Sequence, residues 1–426
     1  MSSIKLMPNT FLEGSVITPS SKSLGHRAVI CASLAEGNSK ITNIDISKDI
    51  TATCQVMRNL GVNITAIENE INIESTGAIC YSGEELFCDE SGSTLRFLIP
   101  IALLQEKSVL FHGRGKLVER PLTPYYKIFD EKHIKYANNN GFLPVRIEGK
   151  LSPGTYRLPG GVSSQFISGM LFALPLLSGS SIINIDGPLE SKPYIDLTLD
   201  VLQSFGITIK NNNYASFEIC GSQKYESGQY NVEGDYSQAA FFIAAGLLNG
   251  SVHCNNLNIL SLQGDRALID IVKLMGGDIT VLDNSIFAKK SALKAINIDA
   301  AQIPDLVPIL TVLAALSDGE TLIYNAARLR IKECDRLHAI TSELNKLGAN
   351  ITEKEDSLVI RGVDFLKGGT VDSWNDHRIV MAMAVASLRC KEPVIINNHL
   401  AVQKSYPNFF KDFNSIGGQS NECTMG

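Results

Sequence analysis

The feature that most limits what this chain can fold into is a repeat. Six segments share one order of residue types: small polar residues, an apolar helix-like run, a turn, then a β-rich run ending in Asn or Asp. SLGHRAVICASLAEGNSKITNID, SSQFISGMLFALPLLSGSSIINIDG and NDHRIVMAMAVASLRCKEPVIINNH are three of them. Their helix starts recur about every 70 residues, longer than common solenoid repeats and long enough for a complete α/β unit. After most comes a second helix with apolar residues at i, i+3, i+4 and i+7, a closing Gly and an alternating strand, as in DLTLDVLQSFGITIK and AITSELNKLGANITEK. Six equal units predict an α/β chain of two lobes with three units each. The polar, Gly-bearing stretch 224–237, between the third and fourth units, is the expected hinge. The residues before Ser20 precede the first unit and fit either lobe.

The first unit opens with an anomaly. Ser20 and Ser21 read as N-caps and the run from Ala28 to Ala35 as the body of a helix, yet Lys22, His26 and Arg27 fall in its first turns. Cations at that end oppose the helix macrodipole and cost a few tenths of a kcal/mol each, roughly, where Asp or Glu would stabilise. With no acid among them in sequence, the expected partner is an anion from outside the chain.

Bulk composition does not account for these cations. The 426 residues carry a net charge of −6, which argues against nucleic acid or an anionic membrane as partner. Nine scattered cysteines, none in a C-x-x-C pair, give no disulfide framework, and the N-terminus lacks the apolar stretch of a signal peptide. A cytoplasmic location is the expectation. The seven histidines show no paired ligand spacing, so no metal site is expected.

Other helix starts and loops repeat the theme. They supply Arg96 in ESGSTLR, Ser163, Ser164 and Gln165 in SSQF, and Asp376, His377 and Arg378 in NDHR. Arg120 lies in LVERPL, Lys192 and Tyr194 in ESKPY, Arg328, Arg330, Lys332 and Arg336 in RLRIKECDR, and Lys404 in VQKSYP. Helix N-termini present unpaired N–H groups, and a nearby Lys or Arg completes an anion site. Each residue alone also has a bland reading: a surface charge, an N-cap for Ser163, Ser164 or Asp305, a helical ion pair of Glu333 with Arg336 or Arg330, each three residues away. Recurrence at equivalent helix starts is what favours a binding site.

In order along the chain, KSLGHR, SGSTLR, ERPL, SSQF, ESKPYID, VEGDYSQAAFF, IPDLVPIL, IKECDR, NDHR and QKSYPNF resemble the motifs of the 5-enolpyruvylshikimate-3-phosphate synthase family. The resemblance implies two lobes of three βαβαββ units, with residues 1–20 joining 233–426 in one lobe and 21–232 forming the other. It implies transfer of the enolpyruvyl group of phosphoenolpyruvate to the 5-hydroxyl of shikimate 3-phosphate, by a monomer with no metal or organic cofactor. The lobes are expected to close on the substrates.

Carried over motif by motif, the resemblance places Lys22, Ser23, Arg27, Ser163, Ser164, Gln165, Ser191 and Tyr194 on shikimate 3-phosphate, with Asp305 and Lys332 at its hydroxyls. Lys22, Gly92, Arg120, Gln165, Arg336, His377, Arg378 and Lys404 match the phosphoenolpyruvate pocket. Lys22, Asp305 and Glu333 are the implied proton-transfer groups. The related UDP-N-acetylglucosamine enolpyruvyl transferases carry a Lys-Asn pair and usually a reactive Cys in the first lobe. This chain has Lys22-Ser23, and GRGKLVERPLTP contains no Cys.

Overall fold

A computed structural model describes residues 2–423 and divides the chain into two compact units, Met1–Pro19 with Glu233–Gly426, and Ser20–Val232. Each contains three small mixed sheets of one design. In the Ser20–Val232 unit, Leu86–Phe87 runs parallel to Val109–His112, which pairs antiparallel with Phe142–Glu148, itself antiparallel to Lys135–Asn139. The parallel pair needs a crossover, and the apolar helix Gly92–Ala102 supplies it. The antiparallel pair needs only a tight turn. Strand Phe142–Glu148 alternates exposed and buried residues, so one face of its sheet meets the core and the other meets water.

The helices that open the repeats have apolar bodies, are buried on nearly every side and form the centre of their unit. Lys22–Leu34, Gly92–Ala102 and Ser164–Ala173 are buried along nearly their whole length. The last two approach so closely that a Cβ on Gly169 would lie 2.4 Å from the carbonyl oxygen of Arg96. The second helices, such as Lys48–Asn59, bury one stripe and show the other to solvent.

In the other unit, Tyr236–Asn249, Val307–Ala315 and His377–Ala386 hold the central positions. Two of its sheets take a strand from the N-terminus. Ser3–Leu6 lies antiparallel between Val394–Asn397 and Ser420–Cys423, and Leu12–Ile17 runs parallel to Gly250–Asn255.

Two expectations shift in detail. Ser20, expected with the C-terminal lobe, lies in the Ser20–Val232 unit, where its amide and hydroxyl both bond the Asp45 carboxylate. The stretch read as a hinge is partly strand: Tyr225–Glu226 and Gln229–Asn231 run parallel to Ala35–Thr42. Tyr225 and Val232 are apolar enough to be drawn into the core there, which polar composition alone concealed. Among the described residues no helix is long and apolar enough to cross a membrane.

Candidate active site

Each unit gathers its own set of the singled-out residues. In Ser20–Val232 the set begins at helix Lys22–Leu34, capped by the Ser21 hydroxyl, which accepts from the Leu24 amide. The Lys22 ammonium lies 2.8 Å from the Asp49 carboxylate. Asp49 occupies the first turn of helix Lys48–Asn59, where the macrodipole favours an acid. The expectation that the cation lacked a partner within the chain is therefore corrected: the acid comes from the next helix start, 27 residues on.

Arg27 is buried and spreads its guanidinium over three acceptors, the Thr198 hydroxyl at 2.9 Å, the Ser23 carbonyl at 2.6 Å and the Tyr194 carbonyl at 2.9 Å. Burial lowers its pKa to about 10, which leaves it charged at neutral pH. His26 is not a third cation. Burial, then Lys22 and Arg27, hold its pKa well below the ordinary value, so the ring is neutral. Its Nδ1 lies 2.7 Å from the Thr53 hydroxyl, which meets the Thr94 hydroxyl at 2.7 Å, which in turn donates to Ser91 at 2.7 Å. This hydrogen-bonded chain ties helices Lys22–Leu34, Lys48–Asn59 and Gly92–Ala102 together.

A second group in the same unit centres on Gln165. Its carbonyl accepts from Arg96 at 2.8 Å and its amide donates to the Ser93 hydroxyl at 2.9 Å. The Arg96 guanidinium lies over the Phe166 ring. Gly92 opens its helix beside Arg120: a Cβ there would stand 2.7 Å from a guanidinium nitrogen of Arg120. Ser163 caps the helix start by accepting from the Gln165 amide, and Ser164 is buried behind it. Ser191, at φ +54°, turns the chain into helix Lys192–Ser204, whose first turn holds Tyr194.

In the other unit Arg336 is the hub. Its side chain is 1% exposed, and its three nitrogens reach three carboxylates: Asp376 at 2.7 Å, Asp305 at 2.8 Å and Glu333 at 2.6 Å. Those acids hold its pKa above the ordinary value against the opposing effect of burial. Asp305 also meets Lys332 at 3.4 Å and Arg378 at 3.1 Å. Burial alone would raise the Asp305 pKa, but Arg378, Lys332 and Arg336 outweigh it and hold the carboxyl well below its usual range, with Glu333 pulling the other way. Burial lowers the Lys332 pKa, and Asp305 partly offsets it. Asp376 caps helix His377–Ala386 by accepting from the Arg378 amide at 2.8 Å. His377 is buried next to it, and Lys404 donates to the Asn375 carbonyl at 2.6 Å.

The family model described as EPSP synthase (3-phosphoshikimate 1-carboxyvinyltransferase) matches residues 6–413. The chain belongs to the EPSP synthase family. It is 54% identical over 435 residues to the 3-phosphoshikimate 1-carboxyvinyltransferase of Clostridium novyi and 53% identical over 430 residues to that of Clostridium acetobutylicum, covering both chains fully in each case. Its structure is similar to that of the EPSP synthase of Acinetobacter baumannii, with a TM-score of 0.85, 27% identity and full coverage of both chains. The enolpyruvyl transferase NikO of Streptomyces tendae shares the fold at a TM-score of 0.83 and 16% identity, covering 100% of this chain and 99% of that one. The two-lobed enolpyruvyl transferase fold of six repeated units is thus the fold of this chain.

The span matched to the EPSP synthase family contains every residue of both sets. Reading the sequence missed Asp49, the partner of Lys22, because no local spacing links the two. It also missed Asp265, 3% exposed, whose Oδ2 accepts from the Ser237 hydroxyl. Burial and the nearby Asp305, against Arg378, raise the Asp265 pKa to about 7. QGD in the sequence gives no hint of that burial.

Proposed function

We propose that this member of the EPSP synthase family transfers the enolpyruvyl group of phosphoenolpyruvate to the 5-hydroxyl of shikimate 3-phosphate, releasing phosphate. Both substrates carry a phosphate and a carboxylate. The single observation that carries the assignment of roles is the buried Arg336, held among Asp305, Glu333 and Asp376, with Arg378 and Lys332 on the same Asp305. Arg offers a planar fork suited to a carboxylate, and its partners fix the direction in which the fork points.

The reaction adds the 5-hydroxyl oxygen to C2 of phosphoenolpyruvate while a proton joins the C3 methylene. The resulting tetrahedral intermediate then loses a methyl proton as its C–O bond to phosphate breaks. Lys22, Arg120, Arg336, Arg378 and Lys404 carry the anionic groups of the donor, with Gly92 leaving room beside Arg120 and with Gln165 and His377 adjoining. Ser23, Arg27, Ser163, Ser164, Gln165, Ser191 and Tyr194 hold shikimate 3-phosphate, and Asp305 with Lys332 meets its hydroxyls. Preorganised cations of this kind stabilise charge where it develops.

Lys22, Asp305 and Glu333 move the protons. An ionised Asp305 surrounded by cations is a poor base. When a donor carboxylate draws Arg336 and Arg378 to itself, Asp305 loses the charges that hold its pKa down and gains affinity for the hydroxyl proton. The protein works as a monomer in the cytoplasm, a reading that rests on the family likeness and on the nine free cysteines.

The test is phosphate release from phosphoenolpyruvate with shikimate 3-phosphate, beside UDP-N-acetylglucosamine as acceptor. Release that depends on shikimate 3-phosphate is the expected result. Release only with the sugar nucleotide would overturn the reading.

A further inference from the structure

Glu343 lies two turns along the helix Arg336–Lys346 that begins with the hub arginine, and its side chain is fully buried. Its two oxygens are shared among three donors. Oε1 accepts from the Trp374 indole N–H at 2.7 Å, Oε2 accepts from the Asp372 amide at 3.0 Å, and the Lys346 ammonium reaches both at 2.8 and 2.9 Å. Trp374 and Asp372 belong to the turn that delivers Asn375, Asp376, His377 and Arg378.

That turn is unusual in itself. Trp374 and Asn375 stand at φ +52° and +53°, a left-handed conformation that bulky side chains rarely adopt. Such a conformation persists only where neighbours impose it. The Asp372 carboxylate accepts from the Trp374 amide at 2.7 Å, and the Ser373 hydroxyl accepts from the Asn375 amide at 3.1 Å. Glu343 tethers the turn to helix Arg336–Lys346 through a buried charge. The same helix therefore grips the segment twice: at its start, where Arg336 meets Asp376, and two turns later, where Glu343 meets Trp374 and Asp372.

We propose that Glu343 is a positioning residue: it fixes the 372–375 turn and so sets Asp376 against Arg336, Arg378 beside Asp305, and the Asn375 carbonyl that receives Lys404. The inference rests on the reading that these three cations hold phosphoenolpyruvate. Glu343 touches none of the reacting atoms. Its contribution is uniform binding of the donor, which appears in KM rather than kcat.

The test uses Glu343→Gln in the full chain. One carboxylate oxygen becomes an NH2 that faces the N–H of Trp374 or of Asp372, donor against donor, while size and packing are kept. The expected result is a KM for phosphoenolpyruvate raised about tenfold, with kcat and the KM for shikimate 3-phosphate within about twofold of wild type. The chain has a single tryptophan, so its emission reports the turn directly, and the variant should emit at longer wavelength. A folded variant with wild-type KM overturns the proposal, and so does a variant that loses only thermal stability. Should Glu343→Gln not fold, Trp374→Phe keeps an aromatic side chain and removes the indole N–H together with the pyrrole ring; a rise of about threefold in the same KM supports the proposal and an unchanged KM overturns it. Titrating Trp374 emission with phosphoenolpyruvate separates this from the assigned reaction. A wild type that turns nothing over but binds phosphoenolpyruvate more tightly than Glu343→Gln would sink the reaction and uphold the tether.

Discussion

Arg336 Nε sits 2.7 Å from Asp376 Oδ2, and both side chains are sealed from water. Breaking such a pair by removing one partner leaves a buried charge short of compensation, which costs about 3–5 kcal/mol. Asp376 also caps a helix. Asp376→Ala should therefore lower the unfolding free energy by at least about 3 kcal/mol, read from urea denaturation. A loss below about 1 kcal/mol would mean that Asp305 and Glu333 suffice to hold the arginine.

Lys22 and Asp305 test the proton-transfer reading. Lys22→Ala and Asp305→Ala should each reduce kcat about 100-fold or more, the usual effect of losing such a group. Rates near wild type in either folded variant would remove that residue from the chemistry.

Asp265 gives a pH signature. Its folded pKa, about 7, stands above the ordinary carboxyl value, so the folded state holds a proton that the unfolded state releases. Its contribution to stability is complete below about pH 4 and is lost as pH rises through about 7. His26 runs the other way, because its folded pKa is depressed: its contribution is present above the ordinary histidine value and lost as pH falls. The two oppose each other in wild type, so the informative quantity is the difference between wild type and Asp265→Asn. As pH rises from about 4 to about 7 the variant should gain stability relative to wild type, by at most about 1.4 kcal/mol per pH unit. Parallel melting curves across that range would contradict the assignment.

Gly92 tests the second group of the N-terminal unit. A methyl added there would meet the Arg120 guanidinium at 2.7 Å, the movable end of a long side chain. Gly92→Ala should fold with stability within about 1 kcal/mol of wild type and raise the KM for phosphoenolpyruvate about tenfold. An unchanged KM would place Arg120 outside the donor pocket.

The repeat was readable because the body of each opening helix, past its first turns, is apolar all round and that of each second helix is not, a contrast that survives in one dimension. The positions of Arg336, Asp305 and Lys332 were readable through motifs, whereas the three-residue spacing alone suggests a pairing along a helix and Glu333 instead meets Arg336 from the loop before it. Asp49 and Asp265 were not. Their importance comes from what lies opposite them in space, Lys22 in one case and Asp305 with Arg378 in the other, and no sequence spacing encodes such a meeting. The charge on His26 was misread for the same reason: its neutrality comes from burial between two cations, which a helical pattern alone does not reveal.

The insertion of Ser3–Leu6 between Val394–Asn397 and Ser420–Cys423 has a consequence for how the chain is made. Ser20–Val232 is contiguous, so its three sheets can close while the ribosome is still translating the second half. Ser3–Leu6 waits for strands made about 390 to 420 residues later. Until about residue 423 emerges, Ser3–Leu6 has no partner on one edge, and a chain stalled late in translation would carry one finished unit and one with that edge open.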